Sequence, residues 1–335
     1  VIGLRADMDG LPVRERVKLP FASIEETEYL GQKVGIMHAC GHDSHVAILM
    51  GTAKILSSIK SELKGKIVFV FQPAEEGAPI GEEGGAALMI KQGLIDKYGI
   101  EVMYGLHISS VTDVGTITYK PLGAMAAADQ FSIKIKGKQV HGSRPWKGVD
   151  PIVAAAQVIL GLQTIISRQT DLTNEAAVIT VGKISGGVRN NIIPEEVEMI
   201  GTIRTLDTAM QKIVHEKIKL TAEKIAESSG ATAEVEIKIG YPVTFNNPQL
   251  TAKMLPSLEK VAGEDNVRVV KASTGAEDFS FYAKKVPGLF FFLGGKPKNI
   301  DTIDASQHHT PDFYIDESGF ILGMKALAQL VIDTK

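Results

Sequence analysis

Four short apolar runs constrain this chain more than any other feature. "VIGLRA" (1–6), "KIVFVF" (66–71) and "GLFFFLGG" (288–295) are almost uninterrupted, and "EVMYGLH" (101–107) is a less pure fourth. Runs of this length without polar alternation read as strands covered on both faces. Between the first two, "SHVAILMGTAKILSSI" places Val46, Leu49, Met50, Ala53 and Leu56 on a helical stripe. "GGAALMIKQGL" reads as a further helix ending near Gly93. Strand, helix and strand in succession predict an α/β domain with a mainly parallel sheet.

The middle of the chain has another rhythm. "FSIKIKG" (131–137) alternates strictly and predicts a half-exposed strand. A helix over 152–167, the strands "AAVITVGKI" and "VEMIGTIRT", a long amphipathic helix over 208–229 and the strand "AEVEIKI" follow. That order, βαββαβ, is the ferredoxin-like α+β arrangement, one sheet face open. The reading is a first domain over 1–120 and 243–335, interrupted by a smaller insertion over 121–242.

Composition narrows the function. The 36 Lys+Arg nearly balance the 39 Asp+Glu, which argues against a nucleic-acid surface or a polybasic membrane patch. No apolar run reaches the ~20 residues of a membrane-spanning helix. One cysteine cannot form an internal disulfide, so a reducing, cytoplasmic setting is expected. The chain opens on "VIGLRAD", already a strand, so an upstream segment is also expected.

Open parallel sheets bind ligands beyond the carboxyl ends of their strands. Past the first strand lie Asp7 and Asp9; past the second, Glu75 and Glu76; at the end of the third, His107; beyond the fourth, His308 and His309. "HACGHDSH" adds Cys40 and His42 in a loop before a helix, where Asp43 or Ser44 could cap. Thiolate, imidazole and carboxylate are ligands for zinc and similar divalent ions. Cys40, His42, Glu76, His107 and a histidine of the 308–309 pair are too many for one four-coordinate ion, so two are expected, and the site would stay cationic and suit an anionic substrate. Metal lowers the pKa of bound water toward ~7. A neighbouring carboxylate, Glu75, can then take its proton and pass it to a leaving amine.

Bland readings compete with each of these. A lone cysteine is most often apolar filler, and an acidic pair in a loop is most often a solvated face, as Glu82 and Glu83 are expected to be. Asp7 and Asp9 could merely end a strand. His38 and His45 read as packing or supporting residues, and His215 as a surface residue of the 208–229 helix. The case rests on convergence at successive strand ends.

"LRADMDGLPV", "HACGHDSH", "QPAEEG", "GLH", "VHGSRP", "NNIIPE", "GTIRTLD", "GAEDFSFY" and "HHTPDF" together make the whole chain resemble the M20 metallopeptidase family. The match is best to its amidohydrolase branch of aminoacylases, hippurate hydrolases and plant auxin-conjugate hydrolases. The resemblance implies a di-metal catalytic domain with an inserted ferredoxin-like lid, and dimerisation through that lid. It implies Cys40, His42, Glu76, His107 and His309 as ligands of two ions, whether zinc, manganese, cobalt or nickel, with Glu75 as general base. Asp9 matches an aspartate that orients a metal ligand. His141 matches a lid histidine supporting the developing oxyanion, Asn191 and Arg204 match residues holding the substrate's carboxylate, and Gly275 opens the substrate-side segment "GAEDF". The implied reaction is hydrolysis of the amide bond of an N-acyl amino acid by a metal-bound hydroxide, with lid closure about hinges near 120 and 242. The alternatives are a dipeptidase or carboxypeptidase, an N-acetyl-diaminopimelate-type deacetylase and, from another class, a non-catalytic metal-binding protein.

Overall fold

A computed structural model describes residues 1–79 and 81–334. The chain divides into two compact units: Val1–Ala124 with Thr244–Lys271 and Asp278–Lys335, and Met125–Val243 with Ala272–Glu277.

In chain order the main elements are β1 (Ile2–Asp7), α1 (His42–Ser58), β2 (Ile67–Gln72), α2 (Gly85–Lys91), β3 (Val102–Asp113) and β4 (Ile117–Tyr119). The second unit contributes β5 (Ala127–Lys136), α3 (Pro151–Gln169), β6 (Ala177–Gly186), β7 (Glu196–Thr205), α4 (Thr208–Ser228) and β8 (Thr232–Tyr241). The first unit resumes with α5 (Pro248–Ala262), β9 (Val267–Val269), α6 (Phe279–Ala283), β10 (Gly288–Lys296) and α7 (Phe320–Asp333).

The first unit is built on a six-stranded sheet ordered β9-β4-β10-β3-β1-β2. Every pairing is parallel except β10 with β4. Three of the apolar runs, β1, β3 and β10, become its centre: Leu4, Tyr104, Leu106, Phe291 and Leu293 are wholly or almost wholly buried in one cluster with Ile48 and Leu49 of α1 and Leu327 and Leu330 of α7. Each such side chain contributes about 1.5–3 kcal/mol of burial. The fourth run, β2, is an edge strand with Phe71 exposed, so it is not covered on both faces as expected.

The stripe expected on α1 is corrected. Met50 is exposed, and the buried face is His45, Ile48, Leu49, Thr52 and Leu56. Two polar residues occupy it because each has a buried partner: Thr52 donates to the Ile48 carbonyl at 2.8 Å, and His45 sits on Asp7. Gly41, at φ +87°, is the N-cap of α1, so Asp43 and Ser44 lie in the first turn rather than at the cap.

The second unit has a four-stranded antiparallel sheet ordered β6-β7-β5-β8, the ferredoxin-like order for a βαββαβ chain. Asp150 caps α3 by accepting the Ile152 N–H at 2.9 Å, and Asp207 caps α4 through Met210 at 2.7 Å. Among the described residues α3 alone is long and apolar enough, by length and composition, to cross a membrane, although its sequence run falls short of ~20 residues. Its face Ala154, Ala155, Val158, Leu162 and Ile165 packs in the core of this unit. The return segment 243–335 is not all of one unit: Ala272–Glu277 joins the second, where the Ser273 and Gly275 carbonyls accept the Ala126 N–H.

Candidate metal centre

β1 and β2 run side by side with Asp7 opposite Gln72, so the loops that follow them start at the same level. The loop after β1 delivers Asp9, and the loop after β2, turning through a left-handed Ala74 (φ +58°), delivers Glu75 and Glu76. His107 lies in the middle of β3, opposite Phe292 of β10. Cys40 and His42 flank Gly41 at the mouth of α1, and His309, itself left-handed at φ +63°, hydrogen-bonds through its N–H to the Ala39 carbonyl at 2.8 Å.

These segments bring the five expected donors into linked triads. Cys40, His42 and His107 form one, Cys40, Glu76 and His309 a second, and His42, Glu75 and Glu76 a third; within each, the donor atoms lie within 4.8 Å of one another. Cys40 Sγ is 3.3 Å from His107 Nε2 and 3.3 Å from His309 Nε2, and His309 Nε2 is 2.8 Å from Glu76 Oε1.

The imidazoles are oriented by their other nitrogens. Nδ1 of His42 donates to Asp9 Oδ1 at 3.1 Å, and Nδ1 of His107 donates to the Ile108 carbonyl at 2.6 Å. Each ring thereby carries a bare Nε2 into the cluster. Nε2 of His42 is buried and has no hydrogen-bond partner. A lone pair left so in a protein interior costs about 1–3 kcal/mol, which a bound cation would offset. His308 is engaged otherwise. Its Nε2 accepts the Ser110 N–H at 3.2 Å, which leaves Nδ1 as the proton-bearing atom 3.5 Å from Cys40 Sγ. Of the neighbouring pair, His309 is the one with an Nε2 free of backbone contacts.

The electrostatics call for positive charge. Asp9, Glu75 and Glu76 gather around His42, while the buried guanidinium of Arg5 is paired with Asp7 and Asp278. Burial, then the charges of Glu76, Glu75 and Asp7, push the Cys40 thiol far above its ordinary range. Burial also holds His107 well below the usual imidazole range, and sends His308 down to about 4. On His42 burial acts downward, but the Asp9 hydrogen bond and the Asp7 charge outweigh it and raise the ring. A thiol, two carboxylates and bare imidazoles at these spacings suit divalent ions of the zinc group. The residues present therefore fit a metal centre.

Beneath the donors lies a layer that sequence reasoning missed. Arg5, fully buried, donates to Asp7 Oδ2 at 2.7 Å, to Asp278 Oδ1 at 2.8 Å and to Gln72 Oε1 at 3.1 Å. Asp7 accepts His45 Nδ1, and His45 Nε2 accepts the Ile108 N–H at 2.8 Å. Asp7 is thus a buried ion-pair residue and not a strand-end cap. Burial opposes its charge, but Arg5 and His45 hold the carboxyl well below the usual range. The available signal was the charged residue inside an otherwise apolar strand, "VIGLRAD".

The remaining expected site residues belong to the second unit. His141 pairs with Ile192 in a short ladder, and its Nδ1 accepts from Ser143 Oγ at 2.9 Å. The Asn191 carbonyl accepts the Gly142 N–H at 2.8 Å. Arg204 stands on β7 opposite Ala128 and lines a groove of about 620 Å³ with Gln130, Thr202 and Lys238. Gly275 donates its N–H to Ser273 Oγ at 3.1 Å. His215 is corrected from surface to partly buried: its Nε2 lies 2.8 Å from the buried Asp129.

A model of peptidase family M20/M25/M40 matches residues 3–333. N-acetyl-L-cysteine deacetylase of Bacillus subtilis is 38% identical over 96% of this chain and 71% of its own length. Thermostable carboxypeptidase 2 of Saccharolobus solfataricus is 37% identical over 99% of this chain and 80% of its own. Among solved structures, a Bacillus subtilis protein described as a dinuclear metal binding peptidase from the M20 family superposes with a TM-score of 0.79 at 34% identity, covering 99% of this chain and 80% of that one.

Proposed function

The chain belongs to peptidase family M20/M25/M40, and from that premise we propose that it is a two-metal amidohydrolase that cleaves the amide bond of N-acyl amino acids. The observation that carries the reading is the buried, unpartnered Nε2 of His42, 4.0 Å from Glu75 Oε2. It puts a ligand-ready lone pair next to a carboxylate that can handle a proton.

Cys40, His42, Glu76, His107 and His309 would hold the ions. When bound, such ions polarise an acyl oxygen and lower the pKa of water toward ~7. Glu75 takes a proton from the attacking water and returns it to the departing amine, a role worth typically about 10²–10⁴-fold. Asp9 keeps His42 in the tautomer that ligates and, through Oδ2, accepts the Glu76 N–H at 2.9 Å. A purely structural site has no use for an additional carboxylate beside its ligands, which weighs against a non-catalytic metal protein.

On the strength of the resemblance we assign His141 to the oxyanion, Asn191 and Arg204 to the substrate carboxylate, and Gly275 to the segment bordering the substrate. A planar guanidinium grips both carboxylate oxygens. Zinc, manganese, cobalt and nickel all fit the mixed donor set. The deacetylase relative favours a small acyl group. The carboxypeptidase relative supports a second reading, peptide cleavage by the same machinery. We further propose a homodimer through the inserted domain, and a cytoplasmic setting suited to a chain whose one cysteine serves the centre.

The test is a panel of N-acetyl, N-benzoyl and longer N-acyl amino acids set against dipeptides, run on metal-loaded wild type and Glu75→Gln. The proposal predicts turnover of N-acyl amino acids by wild type, and metal retained with turnover largely lost in the variant. Turnover of dipeptides alone would favour the second reading. Undiminished turnover by Glu75→Gln would remove Glu75 as the base.

A further inference from the structure

We infer that Arg5 is a positioning residue, the common anchor of two arms that reach opposite sides of the candidate centre. The inference rests on the amidohydrolase reading for what the centre does, and on the buried geometry alone for how it is held.

One arm runs toward the base. Arg5 Nη2 donates to Asp278 Oδ1 at 2.8 Å, and Gln72 Nε2 braces both oxygens of that carboxylate at 2.8 Å. Asp278 Oδ2 also accepts the Ala86 N–H at 2.7 Å, at the start of α2. That approach is possible because residue 85 is glycine: a Cβ there would lie 2.4 Å from Asp278 Oδ2, and its φ is +64°. With its side chain so fixed, Asp278 offers its own N–H to Glu75 Oε1 over a long 3.4 Å. Gln72 is the last residue of β2 and leads directly into the loop carrying Glu75.

The other arm runs toward the metal ligands. Arg5 Nη1 donates to Asp7 Oδ2 at 2.7 Å. Asp7 holds His45 through Nδ1, and His45 Nε2 grips the Ile108 N–H at 2.8 Å, one residue beyond His107. The His45 ring also packs edge-on against His107, with centroids 4.7 Å apart.

Every side of the guanidinium is therefore committed, Nε to Gln72 included at 3.1 Å. A lysine ammonium is a point charge and cannot serve three acceptors in that fan. Nor is the cluster an economical source of stability, since buried ion networks are often matched or bettered by apolar residues of similar volume. What such a network can supply is fixed geometry. It gives a purpose to Arg5, Gln72, His45 and Asp278, four buried polar residues that otherwise have no part in the chemistry.

The test uses Arg5→Lys, Asp7→Asn and Asp278→Asn in the full chain, with three readouts: metal affinity by chelator competition, the visible spectrum of the cobalt-loaded protein, and kcat and KM separately. Changes to groups supporting metal ligands typically cost about 10–100-fold in affinity or activity. The inference predicts that Asp7→Asn loses metal affinity on that scale and changes the cobalt spectrum. Asp278→Asn should keep both but lose kcat on that scale at unchanged KM, and Arg5→Lys should show both defects. Should Arg5→Lys fail to fold, the two asparagine variants carry the same contrast. Folded variants with wild-type affinity, spectrum and kcat, differing only in melting temperature, would overturn it. If wild type cleaves no N-acyl amino acid, the amidohydrolase reading fails, while affinity and spectrum still decide the Asp7 arm.

Discussion

His42 and Asp9 are joined at 3.1 Å, Nδ1 to Oδ1, and the second oxygen of the same carboxylate accepts the N–H of Glu76 at 2.9 Å. One side chain from the loop after β1 thus sets the tautomer of one donor and the backbone position of another. Burial works against the charge of Asp9, but the His42 bond and the backbone N–H groups of Glu76 and Glu75 lower its carboxyl below the ordinary value.

Asp9→Ala should therefore weaken metal binding by about 10–100-fold. Asp9→Asn, which can still accept from His42, should lose less. Chelator competition on the purified variants measures both, and equal affinities for wild type and Asp9→Ala would contradict the role.

Gly41 separates Cys40 from His42 at φ +87°, and an added Cβ would lie 2.5 Å from Ile108 Cγ2 and 3.1 Å from Phe313 Cζ. The residue has neither conformational nor steric room for a methyl group. Gly41→Ala should destabilise the fold by about 1–3 kcal/mol through overpacking alone, and should shift both donors. Denaturant melts and metal affinity report the two effects independently.

The adjacent histidines should separate cleanly. His309→Ala removes a donor 3.3 Å from Cys40 Sγ and 2.8 Å from Glu76, so about one of the two proposed ions per chain should be lost. His308→Gln keeps a polar group toward the Ser110 N–H and should retain its metal. Metal content of the two variants checks this, and the reverse pattern would reassign the ligand.

In the second unit, buried Asp129 accepts from Gln211 at 2.7 Å, His215 at 2.8 Å and the Gly240 N–H at 3.0 Å. Burial opposes its charge, yet these donors lower its carboxyl below the ordinary value. A carboxyl depressed in the folded state adds stability above its unfolded pKa, near ~3.9, and loses it as pH falls through the folded value. Asp129→Asn should thus cost about 1–3 kcal/mol near neutrality. The deficit should shrink as pH drops below ~4. Urea melts across that range test it; a pH-independent deficit would not fit.

How much of this could be read from the residues follows from where the information sits. The strands β1, β3 and β10 are legible because burial on both faces removes polar residues from a short run, as in Phe290–Phe292, and β2 reads as apolar although it is an edge strand with Phe71 exposed. Cys40 and His42 stand out because a thiol and an imidazole flank a glycine before a helical stripe. The arginine network is different. Gln72 and Asp278 are 206 residues apart, and nothing in either local sequence says that one carboxylate will be buried against the other residue's amide. The burial of His45 and Thr52 on α1 was hidden for a related reason: periodicity counts apolar residues, whereas His45 is admitted by Asp7 and the Ile108 N–H from elsewhere in the fold, and Thr52 by its bond to the Ile48 carbonyl of its own helix. His215 looked exposed for lack of any sign of Asp129, 86 positions upstream.

The most direct test of the account is elemental analysis of the purified chain, beside His42→Ala and Cys40→Ala, after loading with a divalent ion and removal of the excess. Two ions per chain in wild type, and a loss in both variants that remain folded, is the predicted result. A wild type that holds no divalent ion under these conditions, or variants that bind as much as wild type does, would contradict a metal centre at these residues.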